Sequence, residues 1–288
     1  MQEKISAYIE WKKDHSPKTK DPYQRWLNRF NSFVEKRELR DINFQDITRF
    51  SNHIKGIYSQ RTHEYCIAIL HGFFKFWHGE DNAVLSPNKV VVPRYYPKKM
   101  PVTSEEIFQK LINEVPPDDF IGLQRHLIIR ILWETGCRVS ELLSIDISNI
   151  NFEKKFATIE TRKAFVHRRI FWSETTNELL LNKYLPLRSK AKTDSIALFV
   201  GSYKGGKYSE RLNPRQVQRT IEHLRKKLDI PDRITPHSFR HGKAHQMLER
   251  GASVVDIQQI LGHVSPNSSF AYLQYWGNEL ENRAMKFL

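Results

Sequence analysis

Four prolines between residues 86 and 101 interrupt a chain whose flanking segments carry helical patterns. Proline fixes φ and lacks a backbone N–H, so this segment cannot continue a helix and favours extended backbone. We therefore predict a linker over residues 86–102, between a first domain at 1–85 and a second domain at 103–288. A chain of 288 residues is long enough for two domains that each bury a hydrophobic core.

Helical periodicity dominates the first domain. Its clearest apolar stripe follows the spacing i, i+3, i+4, i+7 and i+10 and consists of Tyr23, Trp26, Leu27, Phe30 and Phe33. Similar stripes occur near the N-terminus and between residues 47 and 77, with polar and basic residues on the other faces. Apolar residues at this spacing line one face of an amphipathic helix. The pattern predicts an α-helical domain of four helices.

The second domain mixes helix and strand signals. It opens with T-S-E-E at 103–106, a capping box that starts a helix. Two β-rich stretches at 156–160 and 169–172 are typical of paired strands. The domain is expected to be mixed α/β, mainly helical, with a small antiparallel sheet. Further helices are expected at residues 127–133, 214–228, 236–249 and 253–261.

The formal net charge of +14 and the pI near 9.7 indicate the expected partner. Each lysine or arginine that meets a phosphate releases a condensed counterion, so a polyanion is favoured. Both domains share the excess of basic residues, which favours two lobes that grip one nucleic acid. Nucleic acid is the first expectation, and an anionic membrane surface is the alternative.

Cysteine usage and hydropathy indicate a soluble protein inside the cell. Cys66 and Cys137 are too few for a disulfide framework and are typical of a reducing cytoplasm. No apolar run approaches the roughly 18 residues of a spanning helix, and the N-terminus has no continuous apolar signal region. We predict a cytoplasmic protein that does not enter the membrane.

Three separated segments concentrate groups that bind phosphate. They read G-C-R-V-S-E-L-L at 136–143, T-P-H-S-F-R-H at 235–241 and L-G-H at 261–263, and Tyr272 follows nine residues later. Their order and spacing resemble the tyrosine recombinase (phage integrase) family, whose pattern is T-G-x-R-x-x-E-L, H-x-x-R-H, L-G-H and a tyrosine nine positions on. The resemblance covers residues 103–275. The first domain is similar to the core-binding domain of that family in length, charge and helicity.

The resemblance implies a role for each matching residue. Two arginines would clamp the scissile phosphate, two histidines would support them, a hairpin lysine would protonate the leaving oxygen, and a tyrosine would be the nucleophile. In that order these residues are Arg138 and Arg240, His237 and His263, Lys163, and Tyr272.

Physical chemistry asks for the same residue types. Attack on a phosphodiester adds negative charge to the non-bridging oxygens, and planar guanidinium groups meet those oxygens bidentately. Outside this pattern, Arg138 and Arg240 would be ordinary surface ion-pair residues. A tyrosine hydroxyl, with a pKa of about 10, needs cationic neighbours to act as a nucleophile at neutral pH. Tyr275 is the alternative nucleophile, although the family spacing selects Tyr272.

Two further assignments keep alternatives. The segment T-R-K-A-F around Lys163 lacks the glycine that commonly flanks the family's lysine, so Lys154 and Lys155 remain candidates for the general acid. Glu141 stands three residues after Arg138, where its carboxylate either orients the guanidinium or forms a surface pair with it. We favour the orienting role for Glu141.

A row of histidines offers a competing interpretation. His237, His241 and His245 are spaced at i, i+4 and i+8, as metal ligands on one helix face can be. The metalloprotease pattern requires glutamate directly after the first histidine, and this chain has Ser238 there. We therefore expect packing or supporting roles for His241 and His245, and no metal.

Taken together, the sequence predicts a compact, Xer-like site-specific DNA recombinase that cuts and rejoins duplex DNA through a 3′-phosphotyrosine. The resemblance implies neither ATP nor any cofactor, and four identical protomers on two DNA sites, with a monomer possible in the free state. The alternatives are a type IB topoisomerase, which rejoins the original strands, and a DNA-binding protein of the same fold without catalysis.

Overall fold

The computed structural model describes residues 1–15, 20–95, 101–161, 166–191, 193–202 and 208–262. The chain divides into two compact units, Met1–Lys98 and Lys99–Leu288. Mainly helical structure with small antiparallel sheets confirms the predicted fold class. Within the described residues, no helix has the length and apolar character needed to span a membrane.

Among its described residues, the first unit contains the four helices expected from its periodicity. They are α1 (Gln2–His15), α2 (Lys20–Phe33), α3 (Phe44–Ile57) and α4 (Gln60–Glu80). Asn43 caps α3 by accepting the backbone N–H groups of Gln45 and Asp46, and the Ser59 hydroxyl caps α4. The aromatic stripe of α2 turns inward, with Leu27 and Phe30 fully buried in the core of this unit.

In the part that the structure describes, the second unit combines helices with two small sheets. Its helices are α5 (Glu105–Asn113), α6 (Phe120–Thr135), α7 (Val139–Leu143), α8 (Glu174–Glu178), α9 (Leu185–Lys190), α10 (Pro214–Lys227), α11 (Pro236–Glu249) and α12 (Val254–Leu261). A π-helical stretch at Leu179–Tyr184 joins α8 to α9. Its strands are β1 (Ile150–Asn151), β2 (Phe156–Thr161), β3 (Val166–Phe171), β4 (Val200–Ser202) and β5 (Tyr208–Arg211).

The first sheet has the order β1-β2-β3 and is antiparallel throughout. The prediction placed residues up to 168 in the connection between the two longer strands, which was wrong. Strand β3 begins at Val166, because Val166 pairs with Thr161 and Arg168 pairs with Ile159. The second sheet, β4-β5, was not predicted, since its strands are short and their register shifts between Gly201 and Ser202.

Helix α6 forms the centre of the second unit. Leu127, Ile131 and Leu132 are fully buried in a core shared with the first sheet and with α10 and α11. Helix α12 packs against α11 through a separate, smaller apolar cluster made of Ala244, Met247, Leu248, Ile257 and Leu261. The ends of α6, α11 and α12 carry the three segments singled out in the sequence.

Candidate active site

The turn after α6 places Arg138. Gly136 ends the helix in the left-handed region, with φ of +61°. A Cβ atom there would lie 2.8 Å from Leu261 and 2.9 Å from Lys243, so both conformation and space require glycine. Arg138 follows as the residue that precedes α7, and its side chain remains 34% exposed. The turn therefore holds a partly exposed guanidinium at the surface of a close-packed junction.

Glu141 is buried beneath Arg138. Its carboxylate accepts the Arg138 backbone N–H at 2.9 Å and the Arg138 Nη1 at 2.7 Å. Only 5% of the Glu141 side chain is exposed. That burial supports the orienting role over the surface pair, because both the backbone and the guanidinium of Arg138 are attached to a fixed carboxylate.

Arg240 enters from α11 and is 1% exposed. Its Nη1 donates a hydrogen bond of 3.1 Å to the carbonyl oxygen of Gly136. A side chain this buried is not an ordinary surface ion-pair residue. The bond attaches the second arginine to the turn that carries Arg138, so the structure brings the two predicted arginines to one turn.

His237 lies one helical turn before Arg240, in the first turn of α11, and its side chain is exposed. It borders an open groove of about 980 Å³ that Arg138 also lines. One face of α10 forms much of the groove and contributes Arg215, Gln218, Arg219, Glu222, His223 and Lys226. With Arg233, the walls hold five arginine and lysine side chains and one glutamate. A groove of this charge attracts a polyanion.

His241 is buried one turn after His237, and their ring centroids are 4.4 Å apart. Burial, followed by the charges of His237 and Arg240, lowers the pKa of His241 from 6.5 to about 4. His241 is therefore neutral at neutral pH. His245 pairs instead with Glu249 at 3.1 Å. Within the described ranges no three His, Cys, Asp or Glu side chains are grouped as metal ligands, so the histidine row does not form such a cluster there.

The neutral state of His241 predicts an acid-dependent loss of stability. Its folded pKa of about 4 lies below the unfolded value, so the unfolded chain binds the proton first. The contribution of neutral His241 to the free energy of unfolding is complete above about pH 6.5. It falls by about 3 kcal/mol as the pH drops to 4. We expect His241→Asn to lose less unfolding free energy than the wild type over this range in urea titrations. Equal losses in both proteins would contradict the prediction.

Arg168 belongs to this cluster and was missed in the sequence. It lies on β3 with 10% of its side chain exposed, and its Nη2 donates to Glu141 Oε2 at 2.8 Å. Strand alternation was the available signal, because Arg168 is two residues before the buried Ile170 and shares its face of the sheet. Placing Arg168 in the hairpin connection concealed that alternation.

Three predicted residues, Lys163, His263 and Tyr272, lie outside the described residues. The chain positions next to two of them are described. Strands β2 and β3 close on the pair Thr161 and Val166, on either side of Lys163 in sequence. Gly262, directly before His263, ends α12 in the left-handed region with φ of +69°.

Residues 102–276 match the Phage integrase family, and residues 6–80 match the Phage integrase, N-terminal SAM-like domain. A helical SAM-like unit and a second unit that brings partly exposed Arg138 and buried Arg240 to one turn define a tyrosine-recombinase type of protein. The chain belongs to the phage integrase family.

Relatives and solved structures agree with that assignment. Tyrosine recombinase XerA of Pyrococcus furiosus is 31% identical over 280 residues, which cover 97% of this chain and 91% of the relative. Tyrosine recombinase XerC of Anoxybacillus flavithermus is 26% identical, over 92% of this chain and 89% of the relative.

A crystal structure of XerA recombinase is similar with a TM-score of 0.55 at 27% identity, covering 99% of this chain and 98% of that one. XerH bound to palindromic difH substrate, in a post-cleavage complex, gives a TM-score of 0.74 at 19% identity, covering 97% of this chain and 83% of that one. At that identity, XerH supports the fold.

Proposed function

We propose that this chain cleaves and rejoins duplex DNA at specific sites through a covalent bond between Tyr272 and a phosphate. The chain is a tyrosine recombinase, as its relatives are. The observation that carries the proposal is the junction at Gly136, where buried Arg240 bonds to the turn that presents Arg138 beside a basic groove.

Arg138 and Arg240 would bind the non-bridging oxygens of the scissile phosphate, with His237 and His263 as further donors. The charge that develops during attack would then meet groups already oriented by Glu141 and by the Gly136 carbonyl. Donors fixed before the reaction stabilise the transition state without reorganisation. The arginines can thus supply the positive charge that a metal ion supplies in other phosphoryl-transfer enzymes.

The reaction conserves the energy of the phosphodiester. Once its proton has passed to solvent, the Tyr272 oxygen forms a bond to phosphorus as the bond to the 5′ oxygen breaks, which leaves a 3′-phosphotyrosine and a free 5′ hydroxyl. Lys163 would protonate the departing 5′ oxygen. A 5′ hydroxyl from a second duplex then attacks the phosphotyrosine and releases Tyr272. No step consumes ATP.

The groove beside Arg138 suits the DNA partner. Much of its exposed lining lies on the solvent face of α10, and the opposite face packs inward through Val217, Ile221 and Leu224. A rigid helix with a basic outer face can contact phosphates and base edges. We further propose a helical core-binding domain, a linker at 86–102, and four protomers on two sites, acting in the cytoplasm.

Excess chelator tests the metal-free mechanism. On a nicked suicide substrate, cleavage releases the short fragment that carries the free 5′ hydroxyl. The covalent complex then cannot reverse and accumulates. We expect the wild type to form this complex at an unchanged rate in EDTA, because arginine side chains, and not a metal ion, neutralise the negative charge of the phosphate. Loss of the complex in EDTA with recovery on added zinc would contradict the proposal and favour the histidine row.

A further inference from the structure

We propose that Arg168 is a positioning residue that links the proposed phosphate clamp to the end of α12. The inference rests on the proposed function, because it assigns Arg168 to the support of Arg138 and of the turn before His263. Arg168 itself is not expected to touch DNA.

The Arg168 guanidinium joins two parts of the second unit. Its Nη2 donates to Glu141 Oε2 at 2.8 Å, and its Nη1 donates to the Ile260 carbonyl oxygen at 2.8 Å. Glu141 lies on α7, and Ile260 lies in the last turn of α12. With only 10% of its side chain exposed, Arg168 reaches both from within the protein.

The first contact acts on Arg138 through Glu141. A buried carboxylate is costly unless cations and hydrogen bonds satisfy it, and here two arginines do so. The two arginines share the two oxygens, with Arg138 Nη1 on Oε1 and Arg168 Nη2 on Oε2. Removing Arg168 leaves Glu141 with one guanidinium, so the orientation of Arg138 becomes less restricted.

The second contact holds the end of α12. The last carbonyl groups of a helix lack partners within the helix and carry partial negative charge, so guanidinium groups stabilise them. Arg168 binds the carbonyl of Ile260, and Arg138 Nη2 lies 3.4 Å from the carbonyl of Gly262. Among the described residues, α12 packs through its small apolar cluster with α11. The Arg168 contact adds a polar link between α12 and β3.

Gly262 is fitted closely to Arg168. A Cβ atom at Gly262 would lie 2.6 Å from Arg168 Nε, and the φ of +69° independently favours glycine. His263 is the next residue in the chain, and Lys163 stands five positions before Arg168. One side chain thus contacts or adjoins the segments that lead to Arg138, His263 and Lys163.

The test compares Arg168→Ala and Arg168→Lys with Arg169→Ala as the matched control. Arg169 neighbours Arg168 on β3, but it is exposed and its guanidinium lies over the Phe156 ring. Single-turnover cleavage of the nicked substrate is measured at saturating protein. DNA affinity is measured separately in a binding titration. We expect Arg168→Ala to slow cleavage by about 10²-fold, because small misplacements of catalytic groups cost that much. DNA affinity should change less than about threefold.

Arg168→Lys keeps a cation that can bind one of the two partners, so it should recover part of the cleavage rate. A double-mutant cycle with Glu141→Gln gives a readout that general destabilisation would not move. If Arg168 acts through Glu141, the double variant should cleave hardly more slowly than the slower single variant. Effects that multiply, or equal rates for Arg168→Ala and Arg169→Ala, would overturn the proposal.

Two measurements separate the possible failures. Circular dichroism and thermal unfolding show whether each variant is folded at the assay temperature. A folded Arg168→Lys keeps the test valid if Arg168→Ala does not fold. If the wild type forms no covalent complex, the proposed function fails. If the wild type forms the complex and both Arg168 variants match it, only the positioning role fails.

Discussion

Tyr272→Phe is expected to abolish covalent attachment to DNA and to leave DNA binding nearly unchanged. The substitution removes one hydroxyl oxygen and retains the ring, so packing and phosphate contacts are preserved while the nucleophile is lost. No other group on the chain is expected to replace that oxygen. Denaturing gels of the nicked-substrate reaction measure the covalent complex, and gel shifts under native conditions measure binding.

Tyr275→Phe is the matched control. Tyr275 is the next tyrosine in the chain, twelve residues after His263 instead of nine. We expect Tyr275→Phe to form the covalent complex at close to the wild-type rate. A covalent complex retained by Tyr272→Phe and lost by Tyr275→Phe would move the nucleophile to Tyr275.

Arg240→Ala is expected to have the second-largest effect, on both catalysis and stability. Loss of one preorganised donor to a developing oxyanion typically slows a reaction by about 10²–10³-fold. The substitution also leaves the Gly136 carbonyl oxygen without the Arg240 hydrogen bond, which costs about 1–3 kcal/mol. We therefore expect slow cleavage together with a lower melting temperature, measured on the nicked substrate and by thermal unfolding.

Arg188→Ala separates these two effects. Arg188 is also buried in the second unit, where its Nη2 donates to the carbonyl oxygens of Ser195 and Ala197. It does not line the basic groove. Its removal should lower the melting temperature but leave cleavage by the folded protein unchanged. If Arg188→Ala slowed cleavage as much as Arg240→Ala, the effect of Arg240 would be explained by stability alone.

The sequence predicted those parts of the fold that depend on local chemistry. Periodicity located the four helices of the first unit, and the helix starts predicted at 103 and 253 lie within one residue of Ser104 and Ser253, which cap α5 and α12. The structure also gives a physical reason for the presence of glycine in two of the sequence motifs. Gly136 and Gly262 both take positive φ, and each faces a side chain that leaves no space for a Cβ atom.

Long-range pairing was harder to predict. Sheet β4-β5 consists of short strands whose pairing is set by tertiary contacts more than by local composition. Arg168 was missed because its importance comes from Glu141 and Ile260, which are 27 and 92 residues away in sequence. The basic groove likewise requires α10 and the start of α11 to be neighbours in space.

Mapping the covalent adduct tests the central claim most directly. The wild type is trapped on a nicked substrate in EDTA and digested with protease, and the peptide linked to DNA is sequenced by mass spectrometry. We predict a phosphodiester between the 3′ phosphate of the cut strand and Tyr272. Attachment through the 5′ phosphate, attachment at Tyr275, or DNA cleavage without any covalent peptide would contradict it.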